Sequence, residues 1–159
     1  MKRAPIVAVA GGSTCTAEEA ALAEAVGRGL GEAGAILVCG GGKGVMEAAC
    51  RGAAEANGLT VGLLPGSGLD EGNPYLTVAI PTSLGEARNA LIARAGRAMI
   101  AIGGGYGTLS EIGLALRLGR LVIGLKTWTA ATAEGQPADV LTARTAEEAV
   151  ALAMKEVRS

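Results

Sequence analysis

Short, almost wholly apolar runs alternate along this chain with longer stretches in which apolar residues recur every three or four positions. The short runs are Ile6 to Val9, Ala35 to Cys39, Leu59 to Leu64, Leu76 to Ile80, Ala98 to Ile102 and Leu121 to Leu125, and they read as strands. They are apolar throughout instead of alternating with polar residues, as parallel strands covered on both faces must be. The pattern therefore predicts a sheet with helices on both sides.

The longer stretches carry helix signals. Leu22, Val26, Gly29, Leu30 and Ala33 share one stripe of a first helix, which Thr16-Ala17-Glu18-Glu19 opens as a capping box and Gly34 closes. A second helix, from about Val45 to Asn57, places Val45, Ala49, Gly52, Ala53 and Ala56 on one face and ends at Asn57-Gly58. Ser83-Leu84-Gly85-Glu86, Thr108-Leu109-Ser110-Glu111 and Thr145-Ala146-Glu147-Glu148 are further capping boxes, each followed by helical periodicity.

Strands and helices in the order βαβαβ, then β, α, β, α, β and a terminal helix predict an α/β fold: a doubly wound, mainly parallel, Rossmann-like sheet with helices on both faces. The 159 residues suit one domain, 1–159, with one core and one main site. Residues 65–74 and 127–137 are long irregular stretches that either cover that site or simply line the surface.

Composition narrows the chemistry. Half of the chain is hydrophobic but only 2% is aromatic and Phe is absent, so Ala, Val, Ile and Leu must build the core. The 14 basic and 15 acidic residues nearly cancel without long runs, which argues against nucleic-acid or membrane partners and for a small ligand. No apolar stretch approaches the roughly 20 residues that span a bilayer, and MKRAPIVAVAGG enters a strand pattern directly, so a cytoplasmic location is expected. Cys15, Cys39 and Cys50 lack metal-ligand spacing and there is no histidine, so neither a metal site nor a disulfide framework is expected. The missing histidine also removes Ser-His and Cys-His pairs, leaving carboxylates, Lys, Tyr or Cys for acid-base work.

Three strands end in glycine clusters: Gly11-Gly12-Ser13-Thr14, Gly40-Gly41-Gly42-Lys43-Gly44 and Gly103-Gly104-Gly105-Tyr106-Gly107-Thr108. In a doubly wound sheet all three fall at the carboxyl edge, where the ligand crevice opens. Glycine lets backbone N–H groups approach a ligand, and the following helix offers free amides and partial positive charge, which suits a phosphate. Gly11, Gly12, Ser13, Gly41, Gly42, Lys43, Gly104, Gly105, Tyr106, Gly107 and Thr108 are accordingly the candidate ligand-binding residues. Gly44-Val45 after Lys43 departs from the P-loop order, and Cys39 stands where a dinucleotide site wants an acid.

Gly103-Gly104-Gly105-Tyr106-Gly107-Thr108-Leu109-Ser110-Glu111, preceded by Gly40-Gly41-Gly42-Lys43-Gly44-Val45-Met46, resembles the paired motifs of the LONELY GUY family, long labelled lysine decarboxylase-like. The resemblance runs over nearly the whole chain. It implies a phosphoribohydrolase that frees the base from a nucleoside 5′-monophosphate such as AMP or a cytokinin nucleotide, without a bound cofactor, in a homodimer or higher homo-oligomer. Carried over by motif, it implies that Arg88 and Glu111 are catalytic. Asn89 replaces the usual lysine, Gly103 the proline, and Ser110 a frequent acid. The short Gly-Gly-Gly-Tyr-Gly-Thr-Leu-Ser-Glu-Ile form is similar to a bacterial branch related to molybdenum-cofactor carriers, which implies molybdopterin as a bound, uncleaved ligand.

Each candidate also has a purely structural explanation. Glu111 can be the closing member of a capping box that bonds back to Thr108. Arg88, expected in the first turn of a helix where a cation opposes the dipole, calls for an anionic partner. Tyr106 and Trp128 can stack on a ring or fill core space, Cys39 reads as a small buried apolar residue, and Lys43 either reaches an anion or is solvated.

Overall fold

The computed structural model describes residues 3–159; Met1 and Lys2, which open the segment searched for a signal, lie outside the described residues. The chain runs β1 (Ile6–Gly11), α1 (Ala17–Glu32), β2 (Ile36–Cys39), α2 (Val45–Glu55), β3 (Thr60–Leu64), β4 (Val78–Pro81), α3 (Asn89–Ala95), β5 (Ala98–Ile102), α4 (Tyr106–Arg117), β6 (Leu121–Leu125), β7 (Val140–Thr142) and α5 (Ala146–Arg158). Short 3-10 turns at Leu69–Glu71 and Gly85–Arg88 precede β4 and α3. The strands form one sheet in the order β4-β3-β2-β1-β5-β6-β7, and every pairing is parallel. The expected doubly wound α/β sheet is therefore present.

Alternation within the strands divides the core between the two faces. Val7 and Val9 of β1 and Ala98, Ile100 and Ile102 of β5 join the cluster under α1, α2 and α5. Ala8 and Ala10, with Met99 and Ala101, point the other way, into the cluster under α3 and α4. Both side-chain sets are apolar because neither face of these central strands meets water. Small residues also let α1 and α2 touch: a Cβ on Gly27 would run into the Ala49 carbonyl. Cys39 and Cys50 are buried between β2 and α2 with their Sγ atoms 3.6 Å apart and both thiols free. That pairing, together with burial, holds the Cys39 thiol well above its ordinary range, in keeping with an apolar role.

Four local expectations need correction. The Thr16–Glu19 capping box forms completely, but at α5 Thr145 accepts from the Glu148 amide at 3.1 Å while the Glu148 carboxylate accepts from Arg144 rather than Thr145. No cap forms at Ser83, which sits at φ 55 beside Gly85 at φ 56; Thr82 Oγ1 instead takes the Leu64 carbonyl, and a 3-10 turn leads to α3. Thr108 does not cap α4, because the helix begins earlier, at Tyr106 after an extended Gly105. The strand β7 went unrecognised because its three residues sit at the sheet edge, where Leu141 and Thr142 face solvent.

The strand order places a switch point between β1 and β5. From β1 the chain winds outward through β2, β3 and β4, then returns to β5 and winds the other way. Loops leaving the carboxyl ends of β1 and β5 diverge to opposite faces, and a crevice opens between them. Two of the three glycine clusters follow these strands.

Candidate functional site

The crevice holds a cavity of about 680 Å³, within the range that suits a small ligand. Gly11, Gly12 and Ser13 line it from the end of β1 and the loop after it, and Gly104, Gly105, Gly107 and Thr108 from the loop after β5 and the first turn of α4. Arg88 and Glu111 close it from the sides. Gly41, Gly42, Lys43 and Tyr106 do not line it. The second glycine turn is tied elsewhere: the Asn73 side-chain amide donates to the Gly42 carbonyl at 3.0 Å, and the Asn73 backbone donates to Gly41 at 2.8 Å. Lys43 is exposed, the solvated alternative, and Tyr106 projects beyond the rim.

Seven further lining residues were not singled out as candidates: Thr14, Glu19, Met46, Pro65, Gly85, Glu86 and Asn89. Their signals were present but indirect. Met46 closes the first quoted glycine motif, Asn89 stands where the resemblance expects lysine, Pro65 opens the irregular stretch 65–74, and Glu19 belongs to the capping box of α1.

The start of α4 is the open feature of this cleft. Helix starts leave backbone amides unpaired, and a side chain or an acid normally compensates. α1 has its full capping box, and the first amide of α2 donates to the Gly12 carbonyl at 3.0 Å. α4 has neither a side-chain cap nor an acidic residue in its first turn. Gly104 at φ 96 turns the chain into this start; a Cβ there would collide with the Thr108 side chain. Gly105 and Gly107 differ, since a Cβ on either would meet nothing within 4 Å and neither has positive φ. Neither position demands glycine for space or for φ, and at Gly107, within the helix, glycine costs about 1 kcal/mol relative to alanine.

Buried polar groups point to the same place. Thr60, Asn73, Thr108 and Glu111 are the buried polar residues of the described chain. Thr60 Oγ1 donates to the Tyr75 carbonyl at 2.7 Å, and Asn73 is bonded as above. Among the described residues neither the Thr108 hydroxyl nor the Glu111 carboxylate has a hydrogen-bond partner, and both line the cleft. Burial pushes the Glu111 carboxyl up to about 7, against a smaller opposing pull from the Arg88 guanidinium. Glu111 is thus no capping glutamate: Thr108 lies inside the helix, and the carboxylate faces the cleft.

Arg88 stands at the end of the 3-10 turn before α3, and its partners are not anions. Its Nη1 donates to the carbonyl oxygens of Gly40 and Leu63, at the ends of β2 and β3, and its Nε donates to Asn89 Oδ1 at 3.0 Å. Carbonyls left over at strand ends explain much of the cation that sequence alone leaves unexplained. Among the described residues no group of His, Cys, Asp and Glu could hold a metal ion, and no helix is long and apolar enough to cross a membrane.

Similarity to known proteins follows the whole fold. The chain is similar, at 33% identity and a TM-score of 0.89 over all of both chains, to the molybdenum cofactor binding protein of the phototrophic bacterium Rippkaea orientalis. It is 30% identical, with a TM-score of 0.82, to the molybdenum cofactor carrier protein of Chlamydomonas reinhardtii, covering 99% of this chain and 100% of that one. An uncharacterised protein of Archaeoglobus fulgidus is 42% identical over 120 residues, 76% of this chain and 79% of its own. The SLOG cluster4 family matches residues 4–155, and with that span nearly the whole described fold is accounted for: the chain belongs to the SLOG cluster4 family.

Proposed function

We propose that this protein binds and carries a phosphorylated pterin of the molybdenum-cofactor type, with the ligand's phosphate at the start of α4 and no bond cleaved. The observation that carries this reading is the uncapped α4 start, where free amides converge with the unpartnered hydroxyl of buried Thr108. Amides at a helix start and a hydroxyl are neutral donors that favour an anion. Gly105 and Gly107, which the fold does not need, leave room for a ligand to approach the backbone. The whole-length similarity to a molybdenum cofactor binding protein supports the identity of the cargo.

A second reading, a phosphoribohydrolase acting on a nucleoside 5′-monophosphate, is favoured by one specific observation: a carboxyl raised to about 7 inside the cleft. In such a reaction water adds to the anomeric carbon as the bond to the base breaks, giving ribose 5-phosphate and free base. A carboxylate beside that carbon can activate the water or stabilise the oxocarbenium-like sugar. Against this stands Arg88, whose Nη1 is engaged by Gly40 and Leu63. The carrier reading needs Glu111 only as a wall of the cleft, whose burial favours the protonated form and so weakens its repulsion of an anion.

Anaerobic calorimetry with molybdopterin, beside incubation with AMP followed by chromatography for adenine, tests the choice. Binding near one ligand per chain with no adenine released is the expected result. Adenine release that disappears in Glu111→Gln would establish the hydrolase instead.

A further inference from the structure

The chain has three aromatic rings in all, Tyr75, Tyr106 and Trp128, and two of them, Tyr106 and Trp128, stack on each other beside the cleft, so that the outer face of Tyr106 is the one left free. Tyr106 and Trp128 have centroids 5.7 Å apart and an interplanar angle of 29°. Trp128 is a fixed base: it packs against the core cluster under α4, and its indole N–H donates to the Gly105 carbonyl at 3.0 Å. Tyr106, the first residue of α4, is 83% exposed and serves no core. Glycine on both sides leaves its flanks open. Trp128 also lines a crevice of about 220 Å³ that shares Gly104 and Glu19 with the main cleft.

A core so poor in aromatics has no need to hold its only tryptophan and an exposed tyrosine here. Resting on the phosphorylated-ligand reading of the cleft, we infer that Tyr106 and Trp128 form a shelf that stacks the flat heterocycle of the ligand whose phosphate sits at the start of α4. The ligand class is a phosphate monoester bearing a planar heteroaromatic ring. Both pterins and purines have that chemistry, and π-faces stack on aromatic side chains largely without regard to ring identity. The phosphate subsite and the ring subsite are adjacent, because Tyr106 supplies the ring and lies one residue from the Gly105 and Gly107 backbone that lines the cleft. Selectivity for ring-bearing phosphates over plain sugar phosphates is the consequence.

Trp128 is the sole tryptophan, so its emission reports directly on the shelf. The experiment titrates the full chain with four probes: 6-hydroxymethylpterin phosphate, AMP, ribose 5-phosphate, and 6-hydroxymethylpterin without phosphate. Calorimetry supplies affinities alongside Trp128 quenching. The two ring-bearing phosphates are expected to bind about tenfold or more tightly than ribose 5-phosphate, the tighter of the two identifying the source of the ring. Tyr106→Ala should remove most of that advantage and leave ribose 5-phosphate unchanged, while Tyr106→Phe should retain it. Ring-bearing probes that bind Tyr106→Ala as tightly as wild type would overturn the shelf while leaving the phosphate site standing. Equal weakening of ribose 5-phosphate would also overturn it, by assigning Tyr106 to the helix start. If none of the phosphates binds the wild type, the ligand reading of the cleft falls together with the shelf.

Discussion

Arg88 fastens its guanidinium to the carbonyl oxygen of Gly40, joining the turn before α3 to the first residue of the second glycine cluster. The same Nη1 reaches the Leu63 carbonyl, so one side chain ties the ends of two neighbouring strands. The charge that lines the cleft is therefore also a structural clamp.

That clamp predicts a stability cost. Arg88→Ala leaves two carbonyls without their charged donor and should lower unfolding free energy by about 1.5–3 kcal/mol. Arg88→Lys should recover only part of it, because an ammonium cannot reproduce the planar fork that serves Gly40, Leu63 and Asn89 together. Urea denaturation of the three proteins checks the order. An Arg88→Ala protein as stable as wild type would show that the clamp contributes nothing.

Glu111 makes stability depend on pH in a predictable direction. Its carboxyl is raised in the fold from 4.5 to about 7, so the folded state favours the protonated form. Below pH 4.5 the group is protonated folded and unfolded, and it imposes no penalty. As pH rises from 4.5 to 7 the unfolded chain ionises first, and stability is lost across that window before levelling off above 7. A shift of this size corresponds to a few kcal/mol in order of magnitude. Glu111→Gln, neutral at every pH, should gain on wild type through the same window. Parallel stability profiles from pH 4.5 to 8 would contradict the burial of this carboxyl.

Thr108 offers the cleft a hydroxyl that the protein itself does not use. Thr108→Val keeps the shape of the buried side chain and should leave stability nearly unchanged, since no internal hydrogen bond is lost. Affinity for inorganic phosphate or AMP, read by calorimetry, should fall by roughly 1–3 kcal/mol. Unaltered affinity would remove the hydroxyl from the site.

The sequence made the fold legible because its central strands are apolar on both faces, as the residues of β1 and β5 show by dividing between two core clusters. The glycine turns after β1 and β5 were legible for the same reason: chain order fixes which strand ends meet at the switch point. The turn after β2 looks equivalent in sequence, yet Asn73 ties it elsewhere, through contacts spanning 31 and 32 residues that local patterning cannot reveal. Thr108-Leu109-Ser110-Glu111 misled for a related reason. Its spacing fits a capping box, but Gly105 starts the helix a turn early and turns both polar residues inward. The partners of Arg88 were illegible too, because strand-end carbonyls carry no side-chain signature.

Gly107 separates stability from function. Gly107→Ala adds a side chain where there is space and good helical geometry, so it should stabilise the protein by up to about 1 kcal/mol. The new methyl occupies the wall of the cleft and should weaken phosphate binding at least several-fold. Thermal melts and calorimetry on the same preparation read both effects. A stabilised variant with full affinity would place the ligand away from the start of α4.

Recovery of intact cargo tests the central claim most directly. Protein loaded anaerobically with molybdopterin is separated from free ligand by gel filtration, held, then denatured, and the released pterin phosphate is counted per chain. A carrier whose phosphate seat is the start of α4 returns close to one uncleaved ligand per chain from the wild type and markedly less from Gly107→Ala. Ligand that elutes apart from the protein, or returns cleaved, would contradict the account.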